Sequence, residues 1–300
     1  ELTVSLKPGA TADRVKSDVK EKVKRLLNPL GGGPKGEGWP FGRAVGKADI
    51  YPIVEGVEGV VLAHQFPNFP IENPKAHQTF REVDAEGTAN VITALKAHGQ
   101  PRHLVYLSGA AVRDEMAGAH PGIDAKLDAE RHVRGSGIPW TILRASIVYG
   151  PGDHYLSRLA DMIASGPVVP VFGDGRALSA PIHIEDLAQA IAAAMDDPRA
   201  HDALLDACGP NALSTNATLD LLMQVLGQYR PVLHLPVGAM NVVASALERL
   251  PAPPLSRGLI AFSRFDNTSQ GLNADAALGL EFRSVDEGAR QVYRGDGGGG

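Results

Sequence analysis

From Val60 onward the chain alternates short apolar runs with longer amphipathic ones, and that rhythm restricts the fold more than any other feature of the sequence. Val60–His64 reads as a buried strand, Phe80–His98 as a helix, His103–Ser108 as a strand, Pro121–Arg134 as a helix and Trp140–Val148 as a strand. Each strand pair is separated by a helix-length crossover, which parallel strands need and antiparallel ones do not. The succession therefore predicts a parallel sheet of α/β type. Further on, Gly173-Asp174-Gly175 reads as a turn, Glu185–Met195 and Thr218–Leu226 as helices, and the remainder as a proline-broken section ending in a glycine tail at 297–300.

Composition removes several function classes. With 44% hydrophobic residues over 300 positions, the chain can bury one large core or two modest ones. Its 29 basic and 34 acidic residues create no uniform field to attract nucleic acid or an anionic membrane. No apolar run approaches the ~20 residues of a membrane span, and the start lacks a signal-peptide pattern, so a cytoplasmic protein is expected. Glu1 in place of Met suggests a fragment or an internal start. The single cysteine, Cys208, closes Leu204–Cys208 and reads as a small buried hydrophobe. The histidines are scattered without ligand spacing, so no metal is expected. His183-Ile184-Glu185-Asp186 reads as a capped helix start, and Arg134-Gly135-Ser136-Gly137 as a helix stop rather than a nucleophile elbow.

Before residue 60 the texture differs. Leu2–Leu6 alternates like a half-buried strand, Thr11 can cap a helix over 12–27, and Gly31–Gly42 is too rich in glycine and proline for either period.

Five stretches, Val60–His64, Val83–Val91, Leu104–Gly109, Leu143–Asp153 and Pro181–Ala188, follow the order and spacing of atypical and extended short-chain dehydrogenases/reductases. The chain most resembles the branch that includes the nucleotide-binding accessory subunit of respiratory complex I, and the resemblance covers roughly four fifths of it. It implies an NAD(P)-binding Rossmann-type domain of the epimerase/dehydratase kind, with NAD or NADP as cofactor and a small-molecule substrate. In an open parallel sheet the ligand lies beyond the C-terminal strand ends. By resemblance, Ala63, His64, Ser108, Lys126, Ala145, Ser146 and Ile147 would face the cofactor, with Ser108 and Lys126 in the catalytic places.

Chemistry of this kind requires a tyrosine four residues before the lysine, so that the ammonium eases proton loss from the phenol. Four residues before Lys126 stands Gly122, which has no proton to give. Two readings of Lys126 stand: a surface lysine paired with Glu130 one turn on, or a group that holds a ribose hydroxyl. The first strand is followed by Lys7-Pro8-Gly9-Ala10-Thr11, with one glycine where a pyrophosphate cradle needs several. Weak or absent dinucleotide binding, and impaired or absent activity, are therefore expected.

Residues 1–59 resemble something else. The run Gly38-Trp39-Pro40-Phe41-Gly42, with the segments around it, is similar to the C-terminal region of baseplate J-like proteins of contractile tails. The chain thus reads as a chimera: an α+β segment (1–59), an incomplete, doubly wound Rossmann-type sheet (60–206), a C-terminal substrate-side region (207–296) and the tail. A non-catalytic nucleotide-binding or assembly protein and a structural baseplate component are the alternatives. Val60, Val61 and Leu62 are expected to border an open sheet edge, with residues 1–59 forming a separate, loosely docked unit.

Overall fold

The computed structural model describes residues 2–4, 59–64, 66, 72–74, 77–98, 101–153, 155–248 and 256–294. The helix expected over 12–27, the glycine-rich loop and the glycine tail lie outside these residues. The principal elements in chain order begin with β1 (Leu2–Val4), β2 (Gly59–Leu62), α1 (Gly87–His98), β3 (His103–Gly109), α2 (Pro121–Arg134) and β4 (Trp140–Ala145). They continue with β5 (Val148–Tyr149), α3 (Leu156–Ser165), β6 (Val169–Phe172), β7 (Leu178–Ser179), β8 (Ile182–His183), α4 (Ile184–Asp196) and β9 (Ala203–Ala207). β10 (Leu213–Ser214), α5 (Thr215–Leu226), β11 (Val232–Leu235), α6 (Val237–Leu247), α7 (Arg257–Phe262), α8 (Ala274–Leu278) and α9 (Val285–Arg294) complete them.

The main sheet has the order β1-β2-β3-β4-β9. β2, β3, β4 and β9 run parallel, as the alternation predicts, because α1, α2 and α4 lie in the crossovers between them. Alternate residues feed two cores. Val60, Leu62, Leu104, Tyr106 and Ile142 pack on one face with Ile92, Leu95, Ala129 and Val133 of α1 and α2. Val61, Val105, Leu143 and Leu205 pack on the other with Leu187, Ala190 and Ala194 of α4 and with Ala274 and Leu278 of α8. Two-sided coverage of this kind is what a parallel sheet requires.

The expectation of an open edge at Val60–Leu62 is corrected. β1 pairs antiparallel with β2, Leu2 opposite Leu62 and Val4 opposite Val60, so the backbone groups of β2 are satisfied on both sides. Leu2–Val4 thereby belongs to the same sheet as the later strands rather than to a separate unit, as its outermost strand and in the opposite direction.

The strand expected over Trp140–Val148 is broken. The Ser146 amide makes the last bond of this strand to β9, to the Ala207 carbonyl (3.1 Å); the Ile147 carbonyl then accepts from Ile182, and the chain resumes as β5 beside β8. At the same end, a segment from the C-terminal part closes over β9. Asp206 accepts the N–H groups of Gln270 and Gly271 (both 2.8 Å), and the Asn273 side chain bridges both backbone groups of Cys208. Cys208 is fully buried, and burial pushes its thiol up to about 12, as a structural cysteine requires.

Candidate functional site

α2 begins where Pro121 fixes the backbone at the first helical position and His120 Nδ1 accepts the Gly122 N–H (3.0 Å), satisfying one orphan amide. From this helix Lys126 reaches back to the end of β2. Its Nζ lies 3.0 Å from Asp84 Oδ1, an ion pair outside hydrogen-bonding geometry, and donates to the His64 carbonyl at 3.4 Å. The ammonium also stands 5.4 Å from the centre of the Tyr106 ring, in cation–π range. The first sequence reading of Lys126, a pair with Glu130, is corrected, since Glu130 is engaged by Arg144 and Arg134.

The surrounding polar groups have definite proton positions. The Thr88 hydroxyl donates to the Asp84 carbonyl (2.6 Å), so at 3.1 Å it must accept from His64 Nε2, which fixes the imidazole as the Nε2–H tautomer. Burial and then the charge of Lys126 depress the His64 pKa, so the ring is neutral. Tyr106 is fully buried. Burial, followed by the charges of Asp84 and Glu130, raises its pKa well above the usual phenol value, so it keeps its proton. Its Oη and the Ser108 Oγ, both buried, have no hydrogen-bond partner among the described residues; Thr88 stands near Oη without closing a bond.

Position 122 is full. A Cβ added to Gly122 would lie 3.1 Å from His120 Nδ1 and 3.2 Å from two carbons of the Phe80 ring, closer than such contacts ordinarily allow. Phe80 itself is packed on Phe66, their ring centres 4.4 Å apart. The space where a side chain would leave position 122 thus belongs to a small aromatic cluster.

The seven residues expected at the cofactor divide into groups. His64 and Lys126 are in contact, and the register of β3 on β4 sets Gly109 beside Ala145, bringing Ser108 to the same sheet end. Ala63 and Ala145 pack with the second core. The Ser146 hydroxyl is committed, donating to the Asn267 carbonyl (2.6 Å) and accepting the Ala180 N–H (3.2 Å), while the Ile147 carbonyl accepts from Ile182. Ser146 therefore shapes this loop, its one hydroxyl hydrogen already spent. Asp84, Thr88, Phe80 and His120 were missed. The legible signal was polar Asp84 and Thr88 at the i, i+4 spacing on the face that continues into Ile92 and Leu95.

A cleft of about 600 Å³ lies elsewhere, lined by Gly152, Ser157, His183, Glu185 and Tyr293 among others, and by none of those seven. His183 caps α4 as expected, its Nδ1 accepting the Glu185 N–H. Nearby, burial pushes the Asp153 carboxyl upward, but hydrogen bonds from Tyr293 Oη (2.6 Å) and Ser157 outweigh it and hold the pKa below the usual carboxylate range.

Residues 42–198, just over half of the chain, match the NAD(P)H-binding family. The chain belongs to that family. The match starts upstream of residue 60 and crosses the expected seam, and the likeness of residues 1–59 to baseplate proteins gains no support. The uncharacterized protein y4nL of Sinorhizobium fredii is 26% identical over 194 residues, covering 59% of this chain and 54%, about half, of its own length. The solved structure of MoeE5 with UDP-glucuronic acid and NAD shares 19% identity and a TM-score of 0.61, over 81% of this chain and 80% of that one. A dTDP-glucose 4,6-dehydratase double mutant, DesIV from Streptomyces venezuelae, with NAD bound, shares 16% identity and a TM-score of 0.62, over 83% and 76%. These likenesses establish a Rossmann-type fold. Among the described residues, no helix is long and apolar enough to cross a membrane.

The residues at the strand ends fit part of a dinucleotide. Ser108 Oγ is a buried polar atom without a partner among the described residues, and Lys126, 16% exposed, has N–H groups beyond the one it gives to the His64 carbonyl. Gly122 supplies no acid.

Proposed function

We propose that this member of the NAD(P)H-binding family binds NAD or NADP at the C-terminal ends of β2, β3 and β4, and that it carries out no tyrosine-dependent proton transfer. Ala63, His64 and Ser108 line the site with Lys126, Ala145 and Ile147, while Ser146 fixes the loop that carries the last two. When bound, the nicotinamide would supply hydride exchange; the chain's part is to orient it and the substrate. The observation that carries the reading is Gly122 itself, four residues before Lys126, where Phe80 and His120 stand within 3.2 Å of the place a Cβ would take. Tyr106 is buried and protonated. β1 runs antiparallel to β2, so among the described residues no parallel strand precedes β2 to present a glycine-rich turn at the C-terminal sheet end. Each backbone N–H bond to a charged group contributes about 1.5–3 kcal/mol, and losing two lowers affinity by roughly two to four powers of ten.

Calorimetry with NADH and NADPH, together with turnover assays on UDP-glucose and dTDP-glucose, tests this reading. Binding weaker than micromolar and no turnover are expected. Hydride transfer that Lys126→Ala abolishes would overturn it.

A further inference from the structure

We propose that Asp84 sets the selectivity of the strand-end subsite: by cancelling the charge of Lys126 it makes the subsite take a neutral hydroxyl, such as that of a ribose, and turn away a phosphate. The inference rests on the dinucleotide-binding reading above and adds to it a positioning residue and a ligand chemistry.

Asp84 reaches its place through an unusual backbone. Arg81–Glu86 is wound as a π-helix that runs directly into α1, and such wide turns recur at functional sites. The Asp84 side chain is 2% exposed, and its Oδ1 faces the Lys126 ammonium at 3.0 Å. A buried carboxylate is costly unless it is paired, and Lys126 is the cation beside it. Among the described residues in contact with this pair none adds a charge: His64 is neutral, Tyr106 keeps its proton and Thr88 is a hydroxyl. What stands over the Tyr106 ring of β3 is therefore the positive end of a neutral pair. A hydroxyl oxygen can accept a further Lys126 N–H without bringing charge. A phosphate gains from Lys126 but is repelled by Asp84 across a poorly screened interior, where charge interactions are far stronger than in water. Without Asp84 the same ammonium is an ordinary anion site.

The test uses the whole chain and two probes, NADH and inorganic pyrophosphate, each titrated to millimolar concentration while the Lys126 ammonium is followed by ¹H–¹⁵N spectroscopy. In the wild type the Lys126 signal should move with NADH and not with pyrophosphate. Asp84→Asn should raise pyrophosphate affinity by about tenfold or more, the scale of one charge-assisted hydrogen bond. Adding Lys126→Gln should abolish that gain, which a merely structural role for Asp84 does not predict. A wild-type Lys126 signal that answers pyrophosphate as it answers NADH overturns the proposal, as does a folded Asp84→Asn protein with no gain. Should Asp84→Asn not fold, the wild-type titration decides alone. Anion gain in Asp84→Asn without any NADH response in the wild type would sink the dinucleotide reading and leave the charge-cancelling role standing.

Discussion

Glu130 on α2 receives two N–H groups of Arg144 on β4, Nε at 2.9 Å and Nη2 at 2.8 Å, in a part of the core where the carboxylate is 1% exposed. Arg134 adds a third bond from the rim at 2.9 Å. Breaking such a pair leaves one charge buried alone, at a cost of about 3–5 kcal/mol. Glu130→Gln should therefore lose that much stability in denaturant unfolding, and a loss under about 1 kcal/mol would show that Arg144 finds water instead.

Position 122 offers a packing test. Gly122→Ala gains helix propensity of at most ~1 kcal/mol but presses on Phe80 and His120, and overpacking costs about 1–3 kcal/mol. Net destabilisation is expected. Combined with Phe80→Leu, the substitution should cost less than the sum of the two singles by more than ~0.5 kcal/mol, as residues in contact do. Strict additivity in unfolding experiments would contradict the crowding.

Acid should weaken the fold through His103. Thr141 Oγ1 gives its hydrogen to the Ala200 carbonyl (2.6 Å), so His103 Nε2 must donate to Thr141 (2.8 Å) and Nδ1 is left bare and buried. Burial, then the neighbouring His201, push the His103 pKa down to about 4, against a usual value of 6.5. Between those values the unfolded chain binds more protons, so stability is full above about pH 6.5 and falls as the pH drops toward 4. Thermal midpoints measured over that interval in the wild type and in His103→Gln should differ in slope, the variant being flatter.

Gly288 marks the closest approach of α9 to the core. A Cβ there would collide with Tyr149 Oη, a hydroxyl that donates to the Ser284 carbonyl (3.3 Å). Gly288→Ala should displace α9 and lower the thermal midpoint, and Tyr149→Phe in the same chain should recover part of the loss. An unchanged midpoint in Gly288→Ala would refute this contact.

What could be read from the sequence was what short-range chemistry controls. α2 spans the expected Pro121–Arg134 because proline fixes its start and Gly135 follows its end. The parallel strands followed from apolar runs separated by helices. The pairing of Asp84 with Lys126 was not legible, because it joins residues 42 positions apart through a π-helical turn that shifts the helical period. Phe80 and His120 were hidden for a related reason: nothing in Pro121-Gly122-Ile123 tells which aromatic ring fills the space a glycine leaves. The antiparallel sense of β1 depends on a connection whose path no local pattern dictates.

The pairing of Leu2 with Leu62 also bears on how the chain is made. Synthesis delivers β1 about sixty residues before β2, and closing a loop of that length costs entropy that only the finished sheet repays. β1 should therefore dock late, after β2, β3 and β4 have assembled, and in hydrogen exchange it should open before the rest of the sheet. A chain caught before that step displays the unpaired backbone of Gly59-Val60-Val61-Leu62, an apolar edge that a second nascent chain could fill. The quality of protein recovered from expression should then depend on temperature and crowding during synthesis more than on the stability of the finished fold.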